Sequence, residues 1–160
     1  GCYGQSKQLA CQLLDSARKQ HGICVTSLQL PNVFGKWARP NYNSFVATIC
    51  DGFANSKKTK LYEADHSLDL LYVDDFVSLC TDLIGSEARG NLELETLRDL
   101  LPIYSITPRE LVATLNRLSI TRETLESPNT TDNFERKMYA TYLSYLAPTI
   151  NFIVIFCSKL

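Results

Sequence analysis

Eight residues, Ile23 to Leu30, make a short apolar run rich in branched side chains, closed by Gly22 before it and Pro31 after it. Such a run suits a strand buried on both faces of a parallel sheet, and Pro31 ends it because proline cannot donate to the sheet ladder. Residues 3–20 ahead of it read as an amphipathic helix, with Leu9, Leu13, Leu14 and Ala17 on one side. Gly22 is a natural C-terminal cap for that helix. A helix feeding a buried strand is the repeating unit of a doubly wound α/β fold. In an open parallel sheet the ligand crevice lies at the carboxyl ends of the strands, which directs attention to the segment after Leu30.

That segment, Asn32 to Asn43, reads as a loop with the densest polar and aromatic content in the chain. A helix over 44–55 follows, with Phe45, Ile49 and Phe53 inward and Asn43 as its N-cap. The Lys57-Lys58-Thr59-Lys60 run is a solvated turn. Short strands are expected at 60–63 and 68–73, then a helix over 74–84 capped by Asp74, with Phe76, Val77, Leu79, Cys80 and Leu83 inward. Gly85 to Gly90 reads as a loop, and a weak strand falls within 99–106. Thr107 caps a helix over 108–118, with Pro108 in its favoured first-turn position. A polar linker over 119–132 and a last helix over 132–146 complete the pattern.

Composition narrows the function classes. Hydrophobic content of 45% and charged content of 21% fit a soluble globular chain. A net charge of −1 without a basic stripe argues against nucleic acid as a partner. The six cysteines stand singly at 2, 11, 24, 50, 80 and 157 with no CxxC pair, and Cys24 and Cys50 fall in apolar runs. Reduced, buried thiols in a cytoplasmic protein are expected, not a disulfide framework or a zinc site. No signal-peptide pattern and no apolar run long enough for a bilayer occurs, so no membrane role is expected. Asp74 and Asp75 have no further carboxylate or histidine beside them, and no metal site is assigned. The chain starts at Gly1, two residues before Tyr3, and its only methionine is Met138, which suggests a fragment. The apolar run Ile150 to Cys157 suggests that residues 147–160 are an aberrant tail.

Tyr3 and Lys7, four residues apart, share one face of the first helix. A free tyrosine titrates near ~10, too high for acid–base work at neutral pH, and a neighbouring ammonium lowers that value by stabilising the phenolate. Such a pair can exchange a proton with a carbonyl or alcohol oxygen during hydride transfer. The spacing alone recurs in many helices by chance.

Its sequence context is more specific. Tyr3-Gly4-Gln5-Ser6-Lys7 is followed by Leu30-Pro31-Asn32-Val33-Phe34-Gly35-Lys36, then Asn41-Tyr42-Asn43, then Leu71-Tyr72-Val73-Asp74-Asp75. In that order, over residues 3 to about 146, the chain resembles the second half of an extended short-chain dehydrogenase/reductase of the nucleotide-sugar epimerase/dehydratase branch. Within the branch, the stretches from Gly35 to Ser44 and from Tyr139 to Leu146 most resemble the capsular-polysaccharide reductases. Those enzymes act on UDP-activated N-acetylated deoxyhexoses on the way to UDP-N-acetyl-L-fucosamine.

The resemblance implies the C-terminal half of an NAD(P)-binding Rossmann-type domain with a small substrate-binding subdomain, spanning 1–146. Tyr3 would donate a proton to the sugar oxygen as hydride arrives at C4, and Lys7 would hold the nicotinamide ribose hydroxyls and keep the phenol acidic. Pro31 and Val33 match residues whose backbone meets the nicotinamide carboxamide, and Asn32 matches a side chain that reaches the sugar or its diphosphate. Asn43 matches a helix N-terminus where a phosphate is favoured, or it is a plain N-cap. Many relatives carry an arginine where this chain has Leu68. Either diphosphate binding is lost, or Lys36 and Arg39 supply the charge, Arg39 being the better suited through its bidentate fork.

No Gly-rich strand-to-helix fingerprint occurs in the chain, so NADPH or NAD would need a missing N-terminal half. A UDP-sugar is the implied partner, and a homodimer is left open. Three functions follow: an NAD(P)H-dependent nucleotide-sugar 4-keto reductase, a UDP-sugar 4-epimerase or dehydratase that keeps NAD bound, or a truncated, inactive remnant serving as a scaffold.

Overall fold

The computed structural model describes residues 1–57, 66–84, 90–92, 94–124, 126, 128–129 and 131–146. The strand expected at 60–63, the loop at 85–89 and the apolar run at 150–157 lie outside them. The elements are α1 (Cys2–His21), β1 (Thr26–Leu28), β2 (Asn32–Phe34), α2 (Phe45–Ala54), β3 (Leu68–Tyr72), α3 (Val73–Ile84), β4 (Gly90–Leu92), α4 (Leu94–Leu100), β5 (Ile103–Ile106), α5 (Pro108–Thr124) and α6 (Asn133–Leu143). This is the mixed α/β order expected. Contacts divide the chain into two compact units, one within Gly1–Gly35 and Leu61–Leu111, the other within Lys36–Lys60 and Val112–Leu160.

In the first unit β1 pairs in parallel with β4, Thr26 opposite Gly90 and Leu28 opposite Leu92. A second sheet has the order β2-β3-β5. There β2 runs parallel to β3 with Phe34 opposite Tyr72, and β3 runs antiparallel to β5 with Leu71 opposite Ile103. Phe34, Leu70, Leu71, Tyr72, Leu97 and Leu111 are buried. The Phe34 and Tyr72 rings lie 5.3 Å apart in a tilted pair, a favoured aromatic geometry.

The run from Ile23 to Leu30 does not form one strand. Only Thr26–Leu28 is extended, and Asn32–Phe34, expected to open a loop, is a second strand in the other sheet. Pro31 stands between them, and its missing N–H breaks the ladder where the chain changes sheets. Nor is β1 buried on both faces: it is half-buried, with β4 its one partner strand among the described residues, and Cys24 is exposed. Residues of α1 expected inward are also open, Leu9, Leu13 and Leu14 being 56%, 62% and 47% exposed. Their spacing favours the helix, but no described element covers that face. What ties α1 to β1 is Cys11 Sγ, 3.6 Å from Ser27 Oγ. Gly22 caps α1 as expected, with φ 64° and its N–H donated to the Arg18 carbonyl.

The third helix begins at Val73, so Asp74 lies in its first turn with Asp75, where negative charge complements the helix dipole, and not at the cap. Phe76, Leu79, Cys80 and Leu83 are half-buried, while Val77 is 54% exposed. The sequence did not suggest α4 or β4. Ser105 on β5 donates to Asp69 on β3 at 2.5 Å, and Arg98 on α4 pairs with the same carboxylate. The Ser105 hydroxyl and the Arg98 guanidinium hold the Asp69 carboxyl below the usual carboxylate range. Together they latch α4 onto the sheet.

Gly35 is buried where β2 ends against the start of α3, and a Cβ there would collide with the Val73 side chain. Valine cannot swing aside, because branching at Cβ restricts its rotamers. Gly35→Ala should therefore destabilise the chain by about 1–3 kcal/mol, the usual range for overpacking. Urea unfolding followed by circular dichroism checks this, and an unchanged midpoint would show slack at the β2–α3 junction.

Leading α5, Thr107 Oγ1 accepts from the Glu110 N–H at 3.2 Å while Glu110 Oε2 accepts from the Thr107 N–H at 2.8 Å. That reciprocal box bears out Thr107 as the cap. The helix runs to Thr124, into the expected linker. Within that extension Ser119 and Thr121 donate their hydroxyls to the Asn116 and Leu118 carbonyls.

In the second unit Val46, Ala47, Ile49 and Cys50 of α2, Leu115 and Leu118 of α5, and Met138, Thr141 and Tyr142 of α6 are buried. Burial pushes the Cys50 thiol up to about 12, so it stays an inert packing group. Arg117 and Glu135 pair α5 with α6. Ser44, not Asn43, caps α2: its Oγ accepts from the Ala47 N–H at 3.3 Å. Asn43 instead takes φ 49°, a left-handed conformation that asparagine tolerates, and turns the chain into the helix.

Candidate functional site

The expected site residues fall into two groups, one in each unit. In the first unit, Tyr3 and Lys7 are brought together on the opening turns of α1. The Lys7 ammonium lies 5.4 Å from the centroid of the Tyr3 ring. Tyr3 is 74% exposed, so its hydroxyl is open to a reactant. Ser6 does not compete for it, donating instead to the Tyr3 carbonyl at 2.8 Å.

Pro31, Asn32 and Val33 lie at and along β2, where Asn32 stands opposite Leu70 and Val33 opposite Leu71. Asn32 and Val33 are exposed, whereas Phe34 anchors the strand in the core. An exposed asparagine two residues from a buried anchor such as Phe34 sits on a fixed backbone with its side chain open to a ligand.

Lys36, Arg39 and Asn43 come together in the loop that leads into α2. Three of its residues have left-handed backbones, Trp37 at φ 60°, Asn41 at 57° and Asn43 at 49°. That shape is pinned at three points. The Trp37 N–H donates to Ser144 Oγ at 3.1 Å, the Tyr145 hydroxyl donates to the Ala38 carbonyl at 2.6 Å, and the Asn41 N–H donates to Thr48 Oγ1 at 2.9 Å. Burial pushes the Tyr145 phenol up to about 12, keeping it a protonated donor. The loop presents two cation–aromatic pairs: Lys36 Nζ lies 5.6 Å from the Trp37 ring centroid, and Arg39 Cζ lies 5.3 Å from that of Tyr42. Among the described residues no carboxylate pairs with Arg39, which is exposed.

Sequence reasoning missed the anchors Thr48, Ser144 and Tyr145. The stretch from Tyr139 to Leu146 stood out in the sequence, but a partner 107 residues away leaves no local signal.

Among the described residues there is no cluster of three or more metal-ligating side chains, and no helix is long and apolar enough to cross a membrane.

Parallel strand pairs joined through helices define a Rossmann-type α/β fold. The chain belongs to the NAD dependent epimerase/dehydratase family, whose family model matches residues 1–92. It is 33% identical over 144 residues to UDP-2-acetamido-2,6-beta-L-arabino-hexul-4-ose reductase of Pseudomonas aeruginosa, covering 90% of this chain and 38% of that protein. The structure of the capsular polysaccharide assembling protein CapF from Staphylococcus aureus matches with a TM-score of 0.82 and 32% identity, over 94% of this chain and 40% of that one. A Thermus thermophilus UDP-glucose 4-epimerase in complex with NAD shares the fold, with a TM-score of 0.70 at 16% identity, over 89% of this chain and 53% of that one. The chain thus spans about two fifths of the length of the reductase and of the capsular protein.

Proposed function

We propose that this chain is the catalytic-tyrosine and substrate-binding part of an NADPH-dependent reductase acting on the 4-keto form of a UDP-activated N-acetylated deoxyhexose. The observation that carries the reading is the Lys7 ammonium poised 5.4 Å from the ring of an exposed Tyr3. Similarity to the Pseudomonas reductase supports the sugar class. The residues present fit one end of a nicotinamide cofactor: Lys7 can bond ribose hydroxyls, and the backbone at Pro31 and Val33 can meet the carboxamide. No Gly-rich turn among the 160 residues fits the pyrophosphate end.

When bound, the cofactor supplies hydride to C4. The Tyr3 hydroxyl donates its proton to the C4 oxygen, and the Lys7 ammonium stabilises the resulting phenolate. Asn32 bonds the sugar or its diphosphate, while Lys36, Arg39 and the turn at Asn43 meet phosphate oxygens. A cytoplasmic setting suits the five described cysteines, none of which is in a disulfide.

A second reading, a UDP-sugar 4-epimerase with NAD retained, draws on 27% identity over 94 residues to UDP-glucuronate 4-epimerase 1 of Arabidopsis thaliana, 55% of this chain and 21% of that protein. A chimera in which this chain replaces the matching part of the Pseudomonas relative separates the readings. Stoichiometric oxidation of NADPH by a UDP-4-keto sugar is expected. Interconversion of UDP-sugars without net NADPH consumption would move the chain to the epimerase reading, and no turnover of either kind would mark an inactive scaffold.

A further inference from the structure

Trp37 has no place in the reaction just described, yet the fold constrains it closely. It is the only tryptophan in the chain, and the residue is 78% exposed. A bulky residue at φ 60° carries backbone strain, of a kind that persists only where surrounding structure over-determines it and that clusters at ligand sites. Here the over-determination is visible: Ser144 holds the Trp37 N–H, and Tyr145 holds the carbonyl of the next residue. Tyr42, the other exposed aromatic of the loop, lies between two asparagines, which adopt such backbones readily.

We propose that the Trp37 indole is the stacking platform for the base of a nucleoside diphosphate whose phosphates meet Arg39. Base stacking on aromatic side chains contributes binding with any base, because every base has a π-face. With the residue this exposed, the indole can take a flat ring even with Lys36 nearby. Two residues on, Arg39 has no carboxylate partner among the described residues, and no acidic residue occurs between Lys36 and Asn43. An exposed aromatic ring and, two residues along the same loop, a guanidinium with no carboxylate partner among the described residues offer the chemistry that a base joined to two phosphates requires. The assignment rests on the UDP-sugar reading for the identity of the base, and on the loop alone for the stacking.

The test uses the 160-residue chain itself. Because Trp37 is the sole tryptophan alongside eight tyrosines, fluorescence excited beyond the tyrosine absorption band reports this loop. UDP, ADP and inorganic pyrophosphate are titrated, with affinities taken by calorimetry. Saturable quenching by UDP but not by pyrophosphate is expected. Trp37→Leu should weaken UDP binding about tenfold or more, the equivalent of one stacked base, and Trp37→Phe should recover most of it. Far-UV circular dichroism of both variants separates lost stacking from lost folding, and two unfolded variants would overturn the view of Trp37 as a surface platform. UDP bound equally well by folded Trp37→Leu would overturn the platform while leaving the UDP-sugar reading standing. ADP bound more tightly than UDP, with the same Trp37 dependence, would support the platform and count against the uridine substrate. No quenching by either nucleotide would overturn the proposal.

Discussion

Replacing Tyr3 by phenylalanine in the chimera should slow hydride transfer about 10²–10⁴-fold, the usual loss when a positioned general acid is removed. Substrate affinity should barely move, because the ring and the neighbouring Lys7 remain and only the hydroxyl is gone. Tyr3 is largely exposed, so the change should leave folding intact. Single-turnover hydride transfer at saturating UDP-4-keto sugar is the measurement. A mutant within a few-fold of the parent would make Tyr3 a bystander at the start of α1 and leave the helix without a chemical role.

Arg39→Ala should act on binding. The guanidinium lies against Tyr42 on a loop held by Thr48, Ser144 and Tyr145, so it would meet a diphosphate with much of its ordering already done. A charge-assisted hydrogen bond contributes about 1.5–3 kcal/mol, which corresponds to roughly one to two decades of UDP affinity. Lys36→Ala should matter less, because an ammonium acts as a point charge without the guanidinium's fork. The UDP dissociation constants of the two mutants, at low and moderate salt, decide between them. Unchanged affinity in Arg39→Ala would reject the assignment, and a larger loss in Lys36→Ala would hand the role to the lysine. The role matters because the resemblance implies an arginine at the position Leu68 holds, and on β3 that leucine is half-buried in the sheet.

What the sequence by itself determined is local. Gly22 ended α1 through a left-handed cap, Thr107 and Glu110 opened α5 through contacts three residues apart, and the four-residue spacing put Lys7 over Tyr3. Each depends on geometry within a turn of helix, which spacing encodes directly. Tertiary structure decided the rest. Apolar spacing marked Leu9, Leu13 and Leu14 as one helix face, but burial depends on a neighbour, and no described element covers them. Strand pairing split the apolar run at Pro31 and drew Asn32–Phe34 into a sheet with Leu70–Tyr72, because ladder bonds go to strands that are distant in sequence. The loop at 36–43 showed its cations and aromatics in the sequence. Its shape came from Ser144 and Tyr145, 107 residues away, and side chains at that separation carry no pattern until the chain has folded.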